Sequence, residues 1–158
     1  RVTIHPGYIS PVGKLMPQKV WELQKEALRQ IGTFAADHGV LACLENMIGV
    51  KEFLCRRPEE LIGMTEGIEG IGMTFDFGHA NTMGMVNDFL PYVSRANHIH
   101  IHDNHGMSDE HLALGEGTIN WKKVGYSIAA ENSGVVVIEG RSTEEAKKSL
   151  AVFRRDFT

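Results

Sequence analysis

His5, Glu45, Asp76, His100 and Glu139 each close a short apolar stretch of the chain, and they are the residues best equipped for chemistry. Carboxylates and imidazoles hold divalent cations and move protons. Glu45, Asp76, His100 and Glu139 together offer three oxygens and one nitrogen, a set suited to a hard or borderline ion. Zinc or manganese is the cofactor this set predicts first, with magnesium and cobalt also compatible. One glutamate at such a position is ordinarily a solvated loop residue or half of an ion pair; four candidates at successive strand tips point to metal. A second set is His79, Asp109 and His111: His79 lies three residues beyond Asp76, and Asp109 and His111 are two apart. Two imidazoles and a carboxylate suit zinc or iron. Asp109 and His111 read equally well as turn residues of a polar loop.

The elements that must position these side chains are short. Runs rich in β-branched and apolar residues occur near 1–5, 40–45, 71–76, 97–102 and 134–139, and a helical pattern follows each. In the first helix Val20, Leu23, Ala27, Ile31 and Phe34 recur at three- and four-residue steps, Pro17 suits the first turn and Gly39 a C-terminal cap. Further helices are expected over about 58–66, 82–95, 119–131 and 143–155. Strands alternating with helices at this spacing predict an α/β fold of parallel βα units, in one domain. Period-two alternation places Thr3 with His5, Cys43 with Glu45, Thr74 with Asp76, His98 with His100, and Val137 with Glu139. The opposite face is apolar throughout, so it meets the helices and the first face looks inward. Buried carboxylates cost several kcal/mol each unless paired, and a divalent cation is the obvious partner.

Other features carry less chemistry. His98 and His102 share a face with His100 and read as supporting or substrate contacts, one deeper and one at the rim. His38 before Gly39 favours a helix dipole and is structural. Gly115, Glu116 and Gly117, then Thr118 and Asn120, open a helix that either binds an anion or is simply capped by Thr118 or Asn120. Arg141, on the loop after the last strand, either meets an anionic substrate group or pairs with Glu144 or Glu145. Cys43 and Cys55 lack the spacing of a disulfide framework and read as reduced structural thiols. Of 158 residues, 42% are hydrophobic and 23% charged, the composition of a soluble globular domain. The net charge of -4 gives no electrostatic case for nucleic acid. No apolar run approaches the ~20 residues of a membrane span, and a cytoplasmic location is expected.

At several of these residues the chain resembles the xylose-isomerase-like TIM barrel superfamily, which includes endonuclease IV (AP endonuclease family 2) and many sugar or sugar phosphate isomerases and epimerases. The segments are Thr3-Ile4-His5-Pro6-Gly7, Leu44-Glu45-Asn46, Phe75-Asp76-Phe77-Gly78-His79, His100-Ile101-His102-Asp103, Asp109-Glu110-His111, Leu114-Gly115-Glu116-Gly117 and Val137-Ile138-Glu139. The resemblance implies that Glu45, Asp76, His100 and Glu139 hold the central metal, that His79, Asp109 and His111 match ligands of a third zinc in the endonucleases, and that His5 matches a ligand of a further zinc. A complete barrel needs about 250 residues, so residues 1–158 are expected to be the C-terminal five βα units of eight, with open edges prone to self-association.

Two chemistries follow from the resemblance. In a sugar isomerase or epimerase, Glu45 and Glu139 exchange a proton with substrate carbon through a metal-stabilised enediolate, while His79, His102 and Arg141 orient the sugar. In an endonuclease, several zinc ions promote attack on the phosphate of an abasic DNA site. The segment from Asp103 to Asp109 contains no Lys or Arg, and Glu110 stands where the endonucleases place Arg. The first reading is therefore preferred and nucleic acid disfavoured. A third reading is a metal-binding barrel fragment without turnover.

Overall fold

The computed structural model describes residues 1–132 and 134–157. The five expected strands form: β1 (Val2–Ile4), β2 (Ala42–Glu45), β3 (Ile71–Asp76), β4 (His98–Ile101) and β5 (Val135–Ile138). All neighbouring pairs are parallel, in the order β1-β2-β3-β4-β5. Sequential order with a helical crossover after every strand is the βα-barrel pattern. The sheet is strongly curled. In a flat sheet β1 and β4 would stand roughly 14 Å apart, three spacings of about 4.8 Å, yet Thr3 Oγ1 lies 3.0 Å from His98 Nδ1. The chain is a curled half-barrel with helices on its convex side.

The two strand faces divide as alternation predicts. Leu44, Phe75, Ile99 and Ile101 are fully buried and share one core with Leu61, Met64, Phe89, Val93, Val124 and Ile128 from the helical layer. Burying each of the large side chains contributes about 2 kcal/mol, so this layer anchors the strands. Thr3, Thr74, His98 and His100 point the other way and contact one another across the concave face.

Helix α1 (Pro17–Asp37) begins with proline in its first turn and ends at Gly39, whose φ of 65° only glycine adopts at little cost. His38 closes it, with Nδ1 2.8 Å from the Phe34 carbonyl. Its packed face is not the row read from the sequence: Leu23, Ile31 and Phe34 are exposed, while Leu28, Gly32 and Ala35 are buried. The reason is close approach. A Cβ on Gly32 would strike the Glu69 carbonyl, so the small residues let the helix sit directly on the sheet.

Helices α2 (Pro58–Thr65), α5 (Trp121–Glu131) and α6 (Thr143–Asp156) fall where expected, α5 capped by Asn120 and α6 by Ser142. The single helix expected over 82–95 does not form. The segment holds only α4 (Val86–Phe89) and a 3-10 turn over Leu90–Arg95, and a short α3 (Phe77–Asn81) precedes it. Gly84, with φ of 66°, lies in the turn between α3 and α4, and Pro91 offers no N–H to continue α4 as an α-helix. Cys43 and Cys55 are free and buried, and burial pushes the Cys55 thiol up to about 12.

Candidate metal centre

Parallel strands bring their C-terminal ends to one side, and the residues at those ends meet there. His5 Nε2 lies 2.9 Å from Glu45 Oε2. His100 Nδ1 lies 2.7 Å from Glu45 Oε1, 2.9 Å from Glu139 Oε1 and 3.8 Å from Asp76 Oδ2. All five strand-end residues therefore form one connected cluster, as the alternation predicts. Glu45, Asp76 and His100 are buried, whereas Glu139, just past β5, and His5, just past β1, reach the open rim.

Glu45 Oε1, Asp76 Oδ2 and His100 Nδ1 are buried and in ionic contact with one another, yet none makes an aligned hydrogen bond. Buried polar atoms without one are costly. Their spacing brackets the donor–donor edge of about 3.0–3.4 Å in a coordination shell with ~2.1 Å bonds. The donor set and its orphaned atoms fit a divalent cation.

Asp76 is fixed by its neighbours rather than by its own flexibility. Asn46 donates to the Asp76 carbonyl at 2.8 Å and accepts from the Asp76 N–H at 2.8 Å, tying β2 to β3. Asp76 Oδ1 accepts from the His79 N–H at 2.7 Å, capping α3 and leaving Oδ2 facing the centre.

The second set also assembles. His79 Nδ1 lies 2.8 Å from the Asn46 carbonyl, which turns Nε2 toward Asp109 Oδ2 at 3.5 Å. His111 Nε2 lies 3.1 Å from Asp109 Oδ2. His102, expected at the rim as a substrate contact, is fully buried. Strand β4 ends at Ile101, and the chain then turns His102 beneath the following loop, where its ring stacks on His111 at 4.0 Å between centroids. Its Nε2 lies 3.2 Å from Asp76 Oδ1 and 3.5 Å from Asp109 Oδ1. His102 thus belongs with the donors: Asp76, His79 and His102 form one group close enough to hold an ion, and His102, Asp109 and His111 another.

Position in this second set depends on Asp103, which the sequence reading passed over. Asp103 and Leu112 exchange backbone hydrogen bonds of 2.9 and 2.8 Å, closing the loop that carries Asp109 and His111. The buried Asp103 carboxylate accepts from Asn104 N, Gly115 N, Trp121 Nε1 and, at 3.3 Å, Ile119 N. Gly117 abuts this carboxylate and the Asn104 carbonyl, so the Gly115–Gly117 pair serves the turn. Arg141 bonds neither Glu144 nor Glu145; one guanidinium N–H reaches the Asp109 carbonyl at 3.4 Å.

Charge in the cluster follows from this packing. Burial opposes protonation of His100, but Glu139 and Glu45 outweigh it and raise the imidazole to about 10. Burial likewise opposes a charged His79, and Asp76 with Asp109 raises it to about 10. Burial works against ionised Asp76, yet His79 and His102 hold its carboxyl well below the usual range. His100 holds Glu139 low despite burial. Without metal, the neighbouring carboxylates hold His79 and His100 as imidazolium groups.

Comparison with known proteins matches this arrangement to one family. The model of the xylose isomerase-like TIM barrel family matches residues 1–156. An uncharacterised protein of Methanocaldococcus jannaschii is 34% identical over 97% of this chain and 55% of its own length. The chain spans about half the length of the curated relatives it matches. The crystal structure of a D-tagatose 3-epimerase-like protein superposes with a TM-score of 0.90 at 34% identity, over 98% of this chain and 60% of that one. Endonuclease IV from Thermus thermophilus shares the fold, with a TM-score of 0.66 at 23% identity over 98% of this chain and 60% of its own. No helix among the described residues is long and apolar enough to cross a membrane. With sequential parallel strands, a polar concave face and a family match along nearly its whole length, the chain belongs to the xylose isomerase-like TIM barrel family.

Proposed function

We propose that this chain carries the metal centre and both proton-transfer carboxylates of a divalent-metal-dependent isomerase or epimerase acting on a small sugar or sugar phosphate. One observation carries the reading. Glu45 and Glu139 come from strands on opposite sides of β4 and converge on His100 Nδ1 at 2.7 and 2.9 Å, so two carboxylates flank one centre. Glu45, Asp76, His100 and Glu139 would hold the ion, with zinc or manganese as first candidates and His5 supporting Glu45. A divalent ion there supplies Lewis-acid polarisation of neighbouring carbonyl and hydroxyl oxygens of the sugar. One of Glu45 and Glu139 takes the proton from the substrate carbon, and the other returns it from the far side, which inverts that carbon. Glu139 suits the rim, being half-buried and held ionised by His100. Arg141 is exposed beside the opening and would orient substrate oxygens; His79 and His102, expected to do the same, are buried and face Asp76 and Asp109 instead.

The second set supports a competing reading, since His79, His102, Asp109 and His111 are surplus to a one-ion enzyme, and a multi-zinc phosphodiesterase would use them. The loop argues against it. Residues 104–108 carry no Lys or Arg, and the Glu110 carboxylate is occupied by the His105 N–H at 2.8 Å. DNA backbones are held chiefly by Lys and Arg.

The test uses the full-length parent loaded with zinc or manganese. Ketoses and their phosphates in deuterated buffer should exchange carbon-bound hydrogen, and Glu139→Gln should abolish the exchange. Nicking of an abasic duplex that disappears with Asp109→Ala and His111→Ala, without exchange on any sugar, would replace this reading with the endonuclease. Metal binding without either activity would leave a barrel that has lost turnover.

A further inference from the structure

We infer that Thr3 is a positioning residue for the metal centre: its hydroxyl holds the Nε2 side of His100 so that Nδ1 faces Glu45, Asp76 and Glu139. The inference rests on the reading of His100 as a ligand. Thr3 lies on β1, where the alternation pairs it with His5 but gives it no role of its own. Its hydroxyl reaches across the concave face to three side chains of β3 and β4: Thr74 Oγ1 at 3.0 Å, His98 Nδ1 at 3.0 Å and His100 Nε2 at 3.3 Å.

The proton count at the Thr3 hydroxyl closes. An imidazole that ligates through Nδ1 carries its hydrogen on Nε2, and that hydrogen needs an acceptor. Thr3 Oγ1 is the partner on that side. A hydroxyl has one hydrogen and two lone pairs. Accepting from His100 Nε2–H and from the Thr74 O–H, while donating to His98 Nδ1, uses all three. The arrangement fixes one tautomer and one ring orientation for His100. Thr3 is in register with the small Cys43 on β2, the strand that separates β1 from β3 and Thr74.

Removing the hydroxyl would leave the His100 N–H without its acceptor in a buried site and free the ring to turn Nδ1 away. Loss of such an orienting partner typically weakens metal binding by roughly tenfold to a hundredfold. The test measures zinc affinity of the full-length parent by competition with a chromophoric chelator. Thr3→Val should weaken binding by at least about tenfold, and Thr3→Ser, which keeps the hydroxyl, should restore it to within about threefold of the parent. Parent-like affinity in Thr3→Val, or equal weakness in Thr3→Ser, overturns the inference. Nitrogen-resolved NMR of the zinc-loaded parent gives a check that needs no variant: the His100 hydrogen must sit on Nε2, and finding it on Nδ1 overturns the inference even if Thr3→Val does not fold. His100→Gln separates this inference from the reading beneath it. If that variant binds zinc like the parent, the ligand assignment and the role of Thr3 both fall; if it loses binding while Thr3→Val keeps it, only the role of Thr3 falls.

Discussion

Loading the centre with a divalent ion should expel protons, and the number expelled follows from the structure. Asp76, Asp109 and Glu139 are held below the ordinary carboxylate range, so near neutrality they have no proton to release. His100, held at about 10 by Glu139 and Glu45 against the cost of burial, is charged at neutral pH and must become neutral to ligate. An ion at Glu45, Asp76, His100 and Glu139 therefore displaces one proton from His100. Between about pH 7 and 9 its apparent affinity should rise about tenfold per pH unit and level off near pH 10, where the imidazole is already neutral. A second ion at His79, His102, Asp109 and His111 would displace at least one more, since His79 is also raised to about 10. Isothermal titration in buffers of different ionisation enthalpy counts these protons, and affinity against pH gives the slope. An affinity flat from pH 7 to 9, with no buffer-dependent heat, would refute the account of the cluster as imidazolium–carboxylate pairs.

The metal-free protein should show the complementary stability profile. The raised His79 and His100 stabilise the fold fully below about 6.5, and that contribution is lost as pH rises toward 10; the depressed carboxylates contribute above about 4.5 and lose it as pH falls. Calorimetry with chelator should thus find the highest Tm between about pH 4.5 and 6.5. Asp103→Ala strips the acceptor from Asn104 N, Gly115 N, Ile119 N and Trp121 Nε1 and should cost about 3 kcal/mol in urea unfolding. Gly78→Ala would drive a Cβ into the His102 ring and should cost about 2 kcal/mol by the same measurement, leaving His79 and His102 out of register.

What the sequence could show, and what it could not, divides at the strand ends. Inside the strands, period-two alternation decides which way a residue points, so the placing of His100, Asp76 and Glu45 on the concave face and of Leu44, Phe75 and Ile99 beneath helices follows from spacing alone. Past a strand end that rule stops. His102 sits two residues after His100, but β4 has already ended, and the Asp103–Leu112 pairing folds it inward instead of leaving it at the rim. Helix faces failed for a related reason: Gly32 and Ala35 pack because they are small, while apolar Leu23, Ile31 and Phe34 remain exposed. Thr3 and Asp103 act through partners about a hundred and about a dozen or more residues away, and no local pattern reports such contacts.

The most direct test of the central claim is an anomalous difference map, recorded at the absorption edge of the metal, from crystals of the chain grown with zinc or manganese. The account predicts a peak about 2.0–2.3 Å from a carboxylate oxygen of Glu45, Asp76 and Glu139 and from His100 Nδ1. A metal-loaded crystal whose only peak lies elsewhere, with His100 Nδ1 still turned to the carboxylates without an ion, would contradict it.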